Sequence, residues 1–351
     1  MKFLIDELYN NKVLSKNDLY SILHNSSDED INYLHQKANE KRSEFYGNKV
    51  FLRGLIEFTN YCKCHCSYCG IRADNPKADR YRLTKEEILE CCHMGYRLDY
   101  RTFVLQGGED PYFTDEVLVD IVSTIKKELP DCAITLSVGE RSFDSYKALF
   151  DAGADRYLLR HETASRSLYE SLHPHMSFDN RRRCLRDLKA IGYQVGAGFM
   201  IGLPNQTDED LVEDLLFLKD LDPHMIGIGP FIPHCDTPLG DKSGGTIDKT
   251  VILLSMIRLM LPDVLLPATT ALGTLHPTGR ERGLKAGANV VMPNLSPISV
   301  REKYALYNGK ICTGDEAAEC RGCIQRRIEN AGFALDLSRG DHIKWRRMSC
   351  L

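Results

Sequence analysis

Short apolar, β-branched runs alternate with longer amphipathic ones along most of this chain, and no other feature restricts its fold as strongly. The strand-like runs are 50–59, 102–109, 133–140, 155–163, 194–204, 225–233, 265–274 and 289–296. Helical patterns follow them near 84–98, 114–129, 142–152, 178–191, 207–221, 246–261, 279–286 and 299–307. Helix starts are marked by Thr84 with Glu87, Thr114, Ser142, and Thr207 with Asp210. Gly153, Gly192 and Gly287 mark helix ends. Eight strands, each followed by a helix, predict an α/β fold of the parallel (β/α)8 TIM-barrel type; an open doubly wound sheet is the competing arrangement. On this reading the barrel occupies residues 49–309. Residues 1–48 form a helical extension packed outside it, and residues 310–351 a C-terminal tail with its own cysteines.

The formal net charge is -4, with 43% hydrophobic and 27% charged residues. That is ordinary for a soluble globular protein and makes no electrostatic case for binding nucleic acid or an anionic membrane. The longest apolar stretch, 251–272, contains Arg258, Pro262 and Asp263, so no membrane span is expected. There are 13 cysteines, an odd number, and the chain opens on MKFLIDELYNNK, which does not read as a signal peptide. A reduced, cytoplasmic protein whose thiols hold metal is expected rather than a disulfide framework.

A β/α barrel carries its functional side chains at the C-terminal ends of its strands. Here those ends are polar or glycine-rich: Thr59-Asn60, Gln106 to Asp110, Ser137 to Glu140, Arg160 to Thr163, Gly198, Gly229-Pro230 and Thr269 to Ala271. Polar groups recurring at one edge predict one shared site.

Directly after the first strand come Cys62, Cys66 and Cys69, spaced Cys-x3-Cys-x2-Cys. Three thiolates on one short loop suit an iron–sulfur cluster with one iron left free of protein, open to chelation by the amino and carboxylate groups of a substrate. Structural zinc would need a fourth ligand, for which Cys64 or His65 is available but awkwardly close. Cys64 reads as a bystander. A second group, Cys312, Cys320 and Cys323, lies in the tail, where an unmetallated surface segment is the alternative. Cys91, Cys92, Cys132, Cys184, Cys235 and Cys350 read as packing or inert thiols.

The Cys-x3-Cys-x2-Cys loop, Tyr68 just before its third cysteine, and Gly107-Gly108-Glu109 at the end of the second strand together resemble the radical S-adenosylmethionine (SAM) superfamily. The ordered set FTNYCKCHCSYCGIRADN, RYRLT, VLQGGEDPY, GADRYLLRHETA, GIGPFIPH-DTPL, PATTALGT and GANVVMPNLSP is similar to the FeFe-hydrogenase maturase family within it, across about residues 47–330. Methylornithine synthase and biotin synthase are the neighbouring alternatives. The Arg-His-Glu-Thr-Ala and Pro-Ala-Thr-Thr-Ala segments and the second cysteine group favour the maturase.

The resemblance implies a 4Fe–4S cluster on Cys62, Cys66 and Cys69, and reductive cleavage of SAM to a 5′-deoxyadenosyl radical. It places Tyr68, Gln106, Gly107, Gly108, Glu109, Ser137, Arg160, Glu162, Arg181 and Met225 around SAM. Arg160, Thr269, Thr270, Ala271, Tyr304 and Tyr307 would line a deeper pocket for a small anionic or organometallic substrate. For Tyr304 and Tyr307 the alternative is packing at i,i+3 on a helix; for Arg181 it is a solvated helix start. His161, alternating with Arg160, should point out of the lumen. The resemblance further implies a second, dispensable cluster (2Fe–2S or 4Fe–4S) on Cys312, Cys320 and Cys323. It also implies other hydrogenase maturases as partners, and a reduced electron donor such as ferredoxin or flavodoxin. An iron–sulfur scaffold without turnover is the reading from another class; Gly107-Gly108-Glu109 speaks against it, because a scaffold needs no SAM site.

Overall fold

The computed structural model describes residues 1–10, 12–314 and 316–347. Three helices, α1 (Lys2–Tyr9), α2 (Lys16–Asn25) and α3 (Asp28–Tyr46), precede the first strand. Then come β1 (Lys49–Leu52), β2 (Gly54–Thr59), α4 (Lys85–Arg97), β3 (Thr102–Gly107), α5 (Asp115–Glu128), β4 (Ala133–Ser137), α6 (Phe143–Asp151) and β5 (Arg156–Leu158). They are followed by α7 (Arg166–Leu172), α8 (Phe178–Ile191), β6 (Gln194–Ala197), β7 (Met200–Ile201), α9 (Asp208–Leu221), β8 (Met225–Ile226), β9 (Gly229–Pro230) and α10 (Ile247–Met260). The chain ends through α11 (Thr270–Leu275), α12 (Gly279–Lys285), β10 (Val290–Val291), α13 (Ile298–Arg301), α14 (Ala317–Asn330) and β11 (Ala334–Asp336).

β2-β3-β4-β5-β6-β8 form one sheet whose neighbours are all parallel. Single bridges carry it round into a ring: Met225 to Leu265, Pro267 to Val290, and Leu55 to Asn294, with β10 paired to β1. This is the (β/α)8 architecture. Alternation along the strands divides the side chains. Ile56, Phe58, Phe103, Leu105, Ile134 and Leu136 are buried in the hydrophobic core, whereas Leu55, Glu57, Val104, Gln106, Thr135 and Ser137 line the lumen. The expected helix starts hold: Thr84 with Glu87 and Thr207 with Asp210 are reciprocal capping boxes, and Thr114 and Ser142 cap α5 and α6.

Several expectations change: the runs 194–204 and 225–233 each give two short strands, β6 and β7 and then β8 and β9, and 289–296 gives only the two residues of β10. The run 50–59 is two strands broken at Arg53, because its lower half pairs with β10 and β11 and its upper half with β3. The run 265–274 contributes only the bridging residues Leu265 and Pro267. Pro267 has no N–H for a ladder, and the chain turns into α11 at Thr270. The pattern 299–307 yields only the short helix α13. Beyond it, the carbonyls of Lys303, Tyr304 and Leu306 accept from Asn60 Nδ2, Lys310 Nζ and the Gly70 N–H, and so are withdrawn from any helical ladder.

The tail returns to the barrel's N-terminal end. β11 pairs with β1, and Asp341 meets Arg156 and Gln194, the first residues of β5 and β6. Trp345 Nε1 donates to the Gly192 carbonyl at 2.9 Å. Among the described residues no helix is long and apolar enough to cross a membrane.

Candidate active site

A cavity of about 390 Å³ opens at the C-terminal end of the strands. Its wall includes Cys62, Cys66 and Cys69 of the loop after β2, with Cys64 beside them. Backbone bonds fasten that loop to its surroundings: Lys63 N–H to Glu109 O, Ser67 N–H to Leu172 O, and Gly70 N–H to Leu306 O, at 2.8–3.0 Å. The Cys62 sulfur accepts the N–H groups of Cys64 and Glu109, both at 3.4 Å. With the Cys64 thiol also bonding to it, Cys62 is brought down to about 7, against the opposing pull of burial. Burial pushes Cys69 up to about 12 and Cys66 higher still. Cys64 is buried beside Cys62 and lines the same cavity. Tyr68 closes the loop, its hydroxyl 2.9 Å from His173 Nε2.

Gly108 sits where only glycine fits. A Cβ there would lie 2.2 Å from the Tyr61 carbonyl oxygen and 2.7 Å from Cys62 Cβ, so the end of β3 presses its bare backbone against the cysteine loop. The Glu109 carboxylate accepts the Glu140 N–H at 2.8 Å.

After β5 the chain makes a sharp bend. Glu162 has φ +68°, a left-handed conformation that is costly for a residue with a Cβ. Arg160 and Glu162 both reach the cavity and pair at 3.2 Å, and Glu162 Oε2 is buried without a partner. His161, between them, does not line the cavity, as alternation predicts. Arg181, at the start of α8, is 6% exposed rather than solvated. Its Nε meets Glu140 at 2.6 Å, and one terminal nitrogen meets the Arg160 carbonyl at 2.6 Å. Ser137, Met225, Thr269, Thr270, Ala271, Tyr304 and Tyr307 complete the expected set, and all line this cavity together with Gln106 and Gly107. Thr269 Oγ1 is another buried atom without a partner. Packing of Tyr304 and Tyr307 at i,i+3 on a helix is ruled out, since α13 stops at Arg301.

The radical SAM superfamily profile matches residues 56–218. The [FeFe] hydrogenase maturase subunit HydE of Thermotoga maritima is 49% identical over 299 residues, 85% of this chain and 85% of that protein. The chain belongs to the HydE family of the radical SAM superfamily. A 3-methylornithine synthase of Methanosarcina acetivorans is 32% identical, covering 91% of this chain and 90% of the relative. The crystal structure of methylornithine synthase superposes with a TM-score of 0.84, at 32% identity over 95% of this chain and 97% of that one. The hydrogenase maturase HydG shares the fold at a TM-score of 0.81 and 20% identity, over 96% of this chain and 76% of that one.

Membership of the radical SAM superfamily brings a 4Fe–4S cluster and SAM. The residues present fit that pair. The thiols of Cys62, Cys66 and Cys69 share one cavity, a glycine cradle stands beside them, and the unpartnered oxygens of Glu162 and Thr269 are acceptors that a ligand would satisfy.

Several lumen residues of this radical SAM barrel escaped the sequence reading. Glu57 and Lys310 form a buried ion pair in the wall, and Asn294 Nδ2 also donates to Glu57 at 2.7 Å. Arg53 lies deep in the lumen, with Met225 Sδ at 3.0 Å and two guanidinium nitrogens lacking partners. An acid and a base at inward positions of an otherwise apolar strand were the available signal. The second cysteine group is partly assembled, the thiols of Cys312 and Cys320 hydrogen-bonding to each other. Cys312 lines the cavity beside Arg280, whereas Cys320 is buried on α14 and Cys323 is exposed. Its position after the barrel therefore does not put the whole group outside the lumen, because the chain from Tyr304 to Cys312 folds back over the mouth. Cys91, Cys92, Cys132 and Cys184 are buried; Cys235 is exposed beside His234 and Asp236; Cys350 lies outside the described residues.

Proposed function

We propose that this chain is a radical SAM maturase acting in assembly of the two-iron subcluster of the FeFe-hydrogenase H-cluster. The observation that carries the reading is the convergence of Cys62, Cys66, Cys69, Glu162, Arg160 and Arg181 on one cavity, in a chain 49% identical to a HydE maturase. A reduced 4Fe–4S cluster with SAM bound supplies a 5′-deoxyadenosyl radical. In this reading Cys62, Cys66 and Cys69 hold the cluster and Tyr68 packs over its loop. The backbone of Gln106 to Glu109 receives the SAM amino group. Glu162, with an unpaired oxygen, accepts from ribose hydroxyls or that amino group, and Arg181 offers a guanidinium to the carboxylate. Ser137 and Met225 are weaker contacts. Arg160, Thr269, Thr270, Ala271, Tyr304 and Tyr307 face a small anionic or organometallic substrate.

The barrel of residues 49–309 then acts as a closed chamber, with the helical extension 1–48 outside it and the tail 310–351 starting at its mouth, where Lys310 and Cys312 line the wall, and returning to its N-terminal end. Cys312, Cys320 and Cys323 hold a second iron–sulfur cluster. The protein works in the cytoplasm with other hydrogenase maturases and a reduced ferredoxin or flavodoxin. The test is anaerobic reconstitution and reduction, followed by assay of 5′-deoxyadenosine and of apo-hydrogenase activation with the partner maturases. SAM cleavage with lysine rearrangement and no hydrogenase activation would move the assignment to the methylornithine synthases; iron binding without SAM cleavage would leave a scaffold.

A further inference from the structure

Behind the cavity wall, turned away from the lumen, His161 lies between two hydrogen-bonding partners. Its Nε2 is 3.1 Å from Asp214 Oδ1, and its Nδ1 receives the Gly198 backbone N–H at 3.3 Å. An accepting Nδ1 places the proton on Nε2, so a neutral imidazole donates to Asp214. Burial, with Arg182, Arg181 and Arg160 nearby, holds His161 well below its ordinary range. The ring packs between Phe217 and Phe199, with centroids at 4.6 and 5.8 Å.

Asp214 is an oddity on α9. It is fully buried in a leucine-rich helix, burial pushes its carboxyl up, and Oδ2 has no partner. For stability alone a leucine would serve better there. What Asp214 does hold is the bend at Glu162. The same Oδ1 that accepts the hydrogen bond from His161 Nε2 also accepts the Ala164 N–H, so one oxygen grips the chain on both sides of Glu162. Glu162 itself exchanges backbone bonds with the neighbouring segment: its N–H donates to Gly198 O at 3.0 Å, and its carbonyl accepts from Met200 N–H at 3.3 Å. A left-handed glutamate relaxes unless its surroundings hold it.

We infer that Asp214 and His161 are positioning residues for the SAM site, holding Glu162 in the strained conformation that turns its carboxylate into the cavity. This rests on Glu162 being a SAM contact, so the experiment includes Glu162→Gln as its own control. Each protein is reconstituted with its cluster. SAM affinity is measured by equilibrium dialysis, the SAM-dependent change in the EPR spectrum of the reduced cluster is recorded, and the melting temperature is taken alongside. Asp214→Leu and His161→Phe should each weaken SAM binding by about ten-fold or more and blunt the EPR change. Asp214→Asn should stay within about three-fold of the parent, because its Oδ1 can accept both bonds. If Asp214→Leu fails to fold, His161→Phe decides, since it keeps a ring between Phe199 and Phe217. Parental affinity and EPR in folded Asp214→Leu or His161→Phe, with Glu162→Gln impaired, overturns the inference and leaves the SAM site standing. An equal loss in Asp214→Asn and Asp214→Leu overturns it too, because charge rather than geometry would then be at work. Unchanged affinity in Glu162→Gln instead removes the reading of the site beneath it.

Discussion

Lys310 Nζ lies 2.6 and 2.7 Å from the two carboxylate oxygens of Glu57, inside the wall of the cavity. A third bond, to the Tyr304 carbonyl at 3.0 Å, ties the same ammonium to the segment that carries Tyr304 and Tyr307. Burial pushes the Glu57 carboxyl up, against the opposing pull of Lys310 and Asn294. Lys310→Met should leave Glu57 buried with its cation gone and destabilise the protein by about 3 kcal/mol, as loss of one partner of a buried pair does. The double variant Glu57→Gln with Lys310→Met should recover most of that loss. Denaturant unfolding of the parent and the two variants checks this; a double variant no more stable than Lys310→Met alone would show that the pair is not what stabilises the segment.

Asp341 supplies a pH signature for the tail. Burial alone would raise its carboxyl, but Arg156, Arg339 and Gln194 outweigh it and hold it at about 2, below the ordinary value of 3.8. A depressed folded value stabilises the protein above the unfolded pKa, and that contribution fades as pH falls toward the folded one. Asp341→Asn should therefore be less stable than the parent by about 2–3 kcal/mol near neutral pH, with the gap closing between pH 4 and pH 2. A gap that does not vary across this range counts against the Arg156 pairing.

Cys66→Ser should give a folded barrel that does not cleave SAM. The loop carrying Cys66 is fastened by backbone bonds that serine leaves intact. Circular dichroism and 5′-deoxyadenosine release separate the two effects. Near-normal release would remove Cys62, Cys66 and Cys69 from the cluster.

Arg181→Ala should lower SAM affinity by about ten-fold or more, the usual scale for losing a charge-assisted bond. It also removes the guanidinium 2.6 Å from Glu140, leaving only Asn180 on that carboxylate among the side chains, so a lower melting temperature should accompany the change. Calorimetry on reconstituted protein reads both. A melting shift with parental SAM affinity would make Arg181 structural only.

Cys320→Ala with Cys323→Ala should lower the iron content and preserve 5′-deoxyadenosine formation. Both residues sit on α14 and neither lines the cavity, although the Cys320 thiol bonds to that of Cys312 at its wall. A full iron count would mean that no second cluster exists. Lost SAM cleavage with the first cluster intact would put the tail on the electron path.

The sequence by itself determined the elements that rest on local physics. Period-2 and period-3.6 patterns select the buried face of each strand and helix, and the Thr84–Glu87 and Thr207–Asp210 caps satisfy orphan N–H groups within one turn. The Cys-x3-Cys-x2-Cys spacing and the alternation of Arg160, His161 and Glu162 were legible for the same reason, since neighbours along the chain fix which side each faces. Only the tertiary structure decided how the ring closes, where Pro267 withdraws a ladder donor and single bridges replace a strand. It alone paired Lys310 with Glu57 across 253 residues and Asp341 with Arg156 across 185. It also brought Cys312 to the cavity wall and Asp214 behind Glu162. A buried charge needs a partner, but its own neighbourhood in sequence does not say which one; that choice is made when distant segments are packed together and water is removed from between them.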